Sequence, residues 1–151
     1  MPIATFTSAL LASALSQGVA VPDAALLRYP DIGPAEIVFV FQNNLWTVPK
    51  AGGVAKPLTS AAGAELMPRY SQDGKSIAFV GNYDGNRDIY TIPAGGGNPF
   101  RVTHHPATEV VYDWTPDGGL VFTAGGIEGI NRATRLYSTK ATGGLPTPMP
   151  V

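Results

Sequence analysis

From residue 69 to 103 the chain reads RYSQDGKSIAFVGNYDGNRDIYTIPAGGGNPFRVT, in which short alternating or apolar runs are separated by clusters of Gly, Asp and Asn. The pattern predicts an alternating strand, a Ser71-Gln72-Asp73-Gly74 turn and an apolar strand over 76–81. A polar loop, a second strand over 88–93, a Gly-Gly turn and a last strand ending at Val102-Thr103 follow. In such a turn Asp closes the chain through its own side chain and Gly takes the positive φ.

The same order of unlike signals occurs three times. Ile37-Val38-Phe39-Val40 matches Ile77-Ala78-Phe79-Val80 at a spacing of 40, and Leu45-Trp46-Thr47-Val48-Pro49 matches Ile89-Tyr90-Thr91-Ile92-Pro93 at 44. Gly52-Gly53 and Leu58-Thr59 match Gly96-Gly97 and Val102-Thr103 at 44 as well. Going forward, Tyr70 to Gly74 matches Trp114 to Gly118 at 44, while Leu136-Tyr137 and Gly143-Gly144 match Ile89-Tyr90 and Gly96-Gly97 at 47, the extra residues falling in the loop 125–134. Four short strands in about 40 residues is the period of a propeller blade. The chain is therefore expected to be all-β, with about three four-stranded antiparallel blades, half of a six-bladed ring, at 26–66, 67–108 and 109–151.

Within the first copy, residues 28–31 form the remnant of a first strand, and 36–41 and 45–48 a hairpin around Gln42-Asn43-Asn44, where Asn tolerates positive φ. Tyr70 and Trp114 beside the Asp-Gly turns, and Phe39, Phe79 and Phe122 inside the following strands, are expected as core between blades. A buried Phe contributes about 1.5–3 kcal/mol.

Composition agrees with many strands and turns. Eighteen Gly and fourteen Pro accompany only 14% charged residues, and 44% hydrophobic residues are enough for a core. A net charge of -1 with no Lys/Arg cluster gives no reason to expect nucleic acid as a partner. The absence of cysteine excludes disulfides and thiolate metal sites. Residues 1–20 differ: an apolar, small-residue run from Ile3 to Leu15 ends in Gly18-Val19-Ala20, a small-x-Ala cleavage shape, and the first charge is Asp23. A signal peptide over 1–20 is expected, and with it a periplasmic or secreted mature chain that does not insert into a membrane; without it, the chain would be cytoplasmic. The apolar run is too short to span a bilayer.

The search for chemistry predicts no catalytic, cofactor-binding or metal residues. No G-x-S-x-G elbow occurs, and Ser71, Ser76 and Ser138 fall in turns and strands without a paired base. His104-His105 are neighbours in extended chain and point oppositely, so a loop pair is the better reading than a metal site. Asp84, Asn86 and Asp88 imitate the start of a calcium loop, but Ile89 stands where Gly is required and Gly95 where Glu is. Gly95-Gly96-Gly97 and Gly125-Gly126 lack the context of phosphate loops and read as turns.

Arg28-Tyr29-Pro30-Asp31-Ile32, Asn44-Leu45-Trp46-Thr47-Val48-Pro49, Ala51-Gly52-Gly53, Pro57-Leu58-Thr59, the loop Tyr83-Asp84-Gly85-Asn86-Arg87-Asp88-Ile89-Tyr90 and Trp114-Thr115-Pro116-Asp117-Gly118 together resemble the N-terminal β-propeller of bacterial tricorn-type serine proteases. More broadly they resemble the TolB-like propeller repeat. The resemblance covers about 26–151, with two departures: Gly33-Pro34-Ala35-Glu36 replaces an Asp-Gly turn, and Gln72 stands where Pro is common. It implies a non-catalytic propeller segment at the start of a longer peptidase, gating or routing peptides to a PDZ-bearing, tail-specific-protease-type core outside these residues. The other readings are a TolB-like protein-binding propeller without enzymatic activity, and the propeller cap of a prolyl-oligopeptidase-type hydrolase. Three blades leave two open sheet faces, to be covered by further blades of the same protein or by a second copy.

Overall fold

The computed structural model describes residues 26–127 and 133–150. The expected signal peptide over 1–20 lies outside the described residues. Twelve strands are described, and no α-helix is among them. The first sheet holds β1 (Arg28–Ile32), β2 (Glu36–Phe41), β3 (Asn44–Pro49) and β4 (Lys56–Pro57); the second β5 (Ala64–Tyr70), β6 (Ser76–Asn82), β7 (Asp88–Pro93) and β8 (Phe100–Arg101). The third holds β9 (Glu109–Trp114), β10 (Gly119–Gly125), β11 (Thr134–Lys140) and β12 (Thr147–Pro148). Each sheet is a four-stranded antiparallel meander in chain order. The all-β, three-blade expectation is what the structure shows.

Local chemistry explains the turns. Gln42 and Asn43 both adopt positive φ, 49° and 65°, as a two-residue hairpin of the type that matches strand twist requires. Asn44, expected in the turn, instead opens β3 and pairs with Phe41. Its side chain donates to the Gln42 carbonyl and accepts from the Ala61 amide at 2.8 Å, which explains a polar residue at that strand end. The Gly-Gly turns after the third strands repeat closely: Gly52, Gly96 and Gly143 have φ of 87°, 92° and 87°, and each amide donates to a carbonyl three residues earlier.

The second sheet begins at Ala64, inside the stretch expected to belong to the first blade. The alternation used to place that boundary fails because β5 is bulged: its register to β6 shifts between Leu66 and Arg69, and Met67 has φ 53°. A matching bulge interrupts β1 at Tyr29, φ 54°. The Gly33-Pro34 departure also has a cause. A Cβ on Gly33 would lie 2.7 Å from the Tyr70 ring, and Pro34 packs so tightly on Gly74 that a Cβ there would meet it at 2.3 Å. The first blade's turn is thus shaped to seat against the second.

The core lies between the sheets. Ile77, Phe79, Tyr90 and Ile92 of the second blade pack with Val38, Val40 and Leu45 of the first, together with Tyr70. Ala78, Val80, Ile89 and Val102 face the other way, onto Val111, Leu120, Phe122, Ala124 and Tyr137 of the third. Period-two geometry sends alternate residues of β6 to opposite faces, and both faces are covered. That is why β6 reads as an unbroken apolar run while β10 alternates buried and half-buried positions. Phe39, Phe79, Phe122 and Tyr70 are buried, and Trp114 packs against the second cluster while its Nε1 donates to the Arg69 carbonyl at 2.9 Å.

Candidate functional site

Two glutamates are fully buried where blades meet. Glu65 is the second residue of β5 and Glu109 opens β9, and they are 44 residues apart, in step with the repeat. Buried carboxylates are uncommon unless hydrogen-bonded. Each points back into the preceding blade. At the first seam the Leu45 amide donates to both Glu65 Oε2 and Thr59 Oγ1 at 2.9 Å, the Thr59 hydroxyl donates to Oε2, and the Tyr83 hydroxyl donates to Oε1 at 2.5 Å. The Glu65 amide donates to the Asn43 carbonyl at 2.9 Å. Glu65 therefore ties the third strand, the post-β4 segment and the following blade into one polar knot beneath the apolar core.

At the second seam the scaffold recurs with fewer donors. The Ile89 amide donates to Thr103 Oγ1 at 2.9 Å, the Thr103 hydroxyl donates to Glu109 Oε2, and the Glu109 amide donates to the Arg87 carbonyl at 3.1 Å. Glu109 Oε1 is buried and has no hydrogen-bond partner among the described residues, although the Ile89 amide bears on the carboxylate and lowers its pKa. The position 44 residues after Tyr83 is Ile127, which packs against the apolar cluster and cannot donate. Burial pushes the Glu109 carboxyl from its ordinary 4.5 up to about 7, against the lowering influence of the Thr103 hydroxyl. At the first seam burial, reinforced by the bond to Glu65, holds the Tyr83 phenol well above its usual range.

A cleft opens beside each seam. The first, of about 610 Å3, is bordered by Thr59, Ser60, Glu65, Tyr83 and Asn98. The second, of about 400 Å3, is bordered by the corresponding Thr103, His104, Glu109, Ile127 and Leu145. Both volumes are in the range of small-ligand sites, and the second is the more apolar at its rim.

The residues singled out in the sequence fall around this second seam but do not form a catalytic group. Asp88 is buried and pairs with Arg101 at 2.7 Å; Asp84 lies 3.5 Å from the same guanidinium; Asn86 donates to Asp88 and to the His105 carbonyl. Arg101 is thus the cation that this calcium-like spacing faces. Burial raises the Asp88 pKa, the larger influence, and Arg101 opposes it. His104 is exposed, and His105 Nδ1 accepts from the Ala107 amide at 3.1 Å, closing its own loop. Ser71 donates to Asp73 at 2.7 Å within the Asp-Gly turn, Ser76 donates its amide to Ser71, and Ser138 lies in the β10–β11–β12 ladder. Among the described residues no cluster of three His, Cys, Asp or Glu could hold a metal ion. Sequence reasoning missed Glu65 and Glu109, although their spacing of 44, shared with Thr59 and Thr103, was the available signal.

The first strands gather on one side of the assembly and are joined across blades. The Tyr70 amide donates to Asp31 at 2.7 Å, and Arg69 Nε donates to the Tyr112 carbonyl at 2.8 Å. Beside these contacts Tyr112, on the edge strand β9, is half exposed.

Comparison with known proteins gives a consistent picture. Residues 24–151 match the family described as the tricorn protease N-terminal beta propeller domain. Tricorn protease homolog 1 of Streptomyces coelicolor is 31% identical over 106 residues, which is 69% of this chain and 10% of that protein. The crystal structure of the tricorn protease superposes with a TM-score of 0.71 at 25% identity, covering 82% of this chain and 13% of the other. A putative TolB from Agrobacterium tumefaciens superposes at 0.69 with 21% identity, covering 83% and 46%. The chain therefore spans about a tenth of the tricorn protease homologue and less than half of the TolB chain.

Proposed function

The chain belongs to the family of tricorn protease N-terminal β-propeller domains, and from that premise we propose that it is a non-catalytic propeller segment that binds peptides and routes them to a catalytic core outside these residues. The observation that carries this reading is the match over 24–151 to a domain defined by its place at the start of a protease. The local chemistry supports it. Ser71 and His105 are engaged in closing their own turns, and the buried carboxylates Glu65 and Asp88 hold neighbouring segments together. The edge strands β1, β5 and β9, with the half-exposed Tyr112 side chain, offer backbone and side-chain groups to an extended peptide. Export of the chain after cleavage near Ala20 belongs to the same proposal, and N-terminal sequencing of the mature product tests it.

The decisive experiment is paired. Fluorescence anisotropy with labelled unstructured peptides is expected to show saturable, weak binding to the purified chain, with no peptide cleaved over the same period. Cleavage by the purified chain that a serine-directed inhibitor abolishes, or the absence of any peptide binding, would sink the reading.

A further inference from the structure

The two seams share a scaffold and differ in how their carboxylates are served. Glu65 receives the Leu45 amide and two hydroxyls, and both its oxygens are engaged. Glu109 receives the Thr103 hydroxyl on one oxygen and is also served by the Ile89 amide, while its other oxygen is buried with no donor to it among the described residues. A buried carboxylate with a bare oxygen is costly, and the cheapest remedy available there is a proton. We propose that the seam between the second and third blades is a pH-sensitive joint, tight while the Glu109 carboxyl keeps its proton and loosened when it ionises, whereas the first seam is insensitive.

The groups around Glu109 pull in both directions, and burial prevails. On β7 the negative charge of Asp88 favours the protonated acid, and on β8 Arg101 opposes it, although that guanidinium is held by Asp88 at 2.7 Å and by Asp84. The loop after β8 contributes His104 and His105 to the cleft rim, and after β10 Ile127 contributes only hydrocarbon. No donor among these reaches the bare oxygen. The sign follows from linkage. The folded acid holds its proton up to about 7 and the opened seam releases it near 4.5, so opening becomes easier as pH rises through that window and levels off above it.

Hydrogen exchange reads the joint directly, because the amides of Glu109 and Glu65 each bond across a seam. After correction for intrinsic exchange, protection of the Glu109 amide is expected to fall on the order of a hundredfold between pH 4.5 and 7.5, each pH unit in the window giving about tenfold. The Glu65 amide serves as internal reference and should change less than about threefold. Glu109→Gln, which carries no ionisable group, should flatten the Glu109 profile. A measurement without any variant accompanies it: the Glu109 side-chain carboxyl 13C resonance should titrate with a midpoint near 7. A midpoint in the ordinary glutamate range, a flat profile at the Glu109 amide, a step shared by Glu65, or a step that survives in Glu109→Gln would each overturn the proposal.

Discussion

The first and second seams are built on one plan, yet one contains a fully donated carboxylate and the other a carboxyl with a bare oxygen. Threonines at 59 and 103, glutamates at 65 and 109 and the cross-seam amides recur at a spacing of 44. Among the described residues the loop after the second strand presents Tyr83 at the first seam and Ile127 at the second, and Asp88 and Arg101 flank the second. A repeat therefore copies the scaffold of a polar latch, while the side chains around it differ in the donors they offer the carboxylate. Loops vary more freely than the strands they join, so such a difference arises without disturbing register.

Substitutions can break this contrast in order of effect. Glu65→Ala is expected to be the most damaging, at about 3–5 kcal/mol in urea unfolding, because it leaves the Leu45 amide and the Thr59 and Tyr83 hydroxyls without their shared acceptor in a buried site. Glu109→Ala should cost only about 1 kcal/mol at pH 8, since it removes one hydroxyl contact and an ill-served carboxyl together.

Next comes pH itself. With its folded value at about 7 and its ordinary value at 4.5, the Glu109 contribution is fully present below pH 4.5 and is lost as pH rises through 7. The loss is about 3 kcal/mol for a difference of that size, and urea midpoints at pH 4.5 and 7.5, for the native chain and Glu109→Gln, will reveal it as a difference confined to the native chain. Tyr83→Phe sharpens the comparison further: it bares Glu65 Oε1 and should cost about 1–3 kcal/mol, turning the first seam into a likeness of the second with a pH step of its own. The smallest effect is expected from Asp73→Ala in the exposed turn, which should leave the urea midpoint nearly unmoved because its partners are solvent-accessible.

Much of this architecture was legible in the chain. Strand order, turn positions and the aromatic core came through because they follow from local rules: period-two alternation, positive φ at Asn and Gly, and large apolar residues that have to be buried. The unbroken apolar run of β6 even carried the information that both faces of the second blade are covered. The start of β5 was not legible, since the bulge at Met67 reverses which side chains face the core and hides the strand from an alternation test.

The buried glutamates mark the boundary between what sequence and tertiary structure each decide. By itself the sequence determined a threefold repeat of four-stranded antiparallel units and the residues that fill their interfaces, because those signals are written in neighbouring positions. Tertiary structure alone decided that Glu65 and Glu109 lie inside, that Arg101 is the cation facing Asp84 and Asp88, and that one glutamate oxygen has a phenol while its counterpart has no donor among the described residues. Burial and donor count depend on groups twenty or so residues away brought together by blade packing, and a charged side chain looks the same in sequence whether water or a neighbouring blade surrounds it.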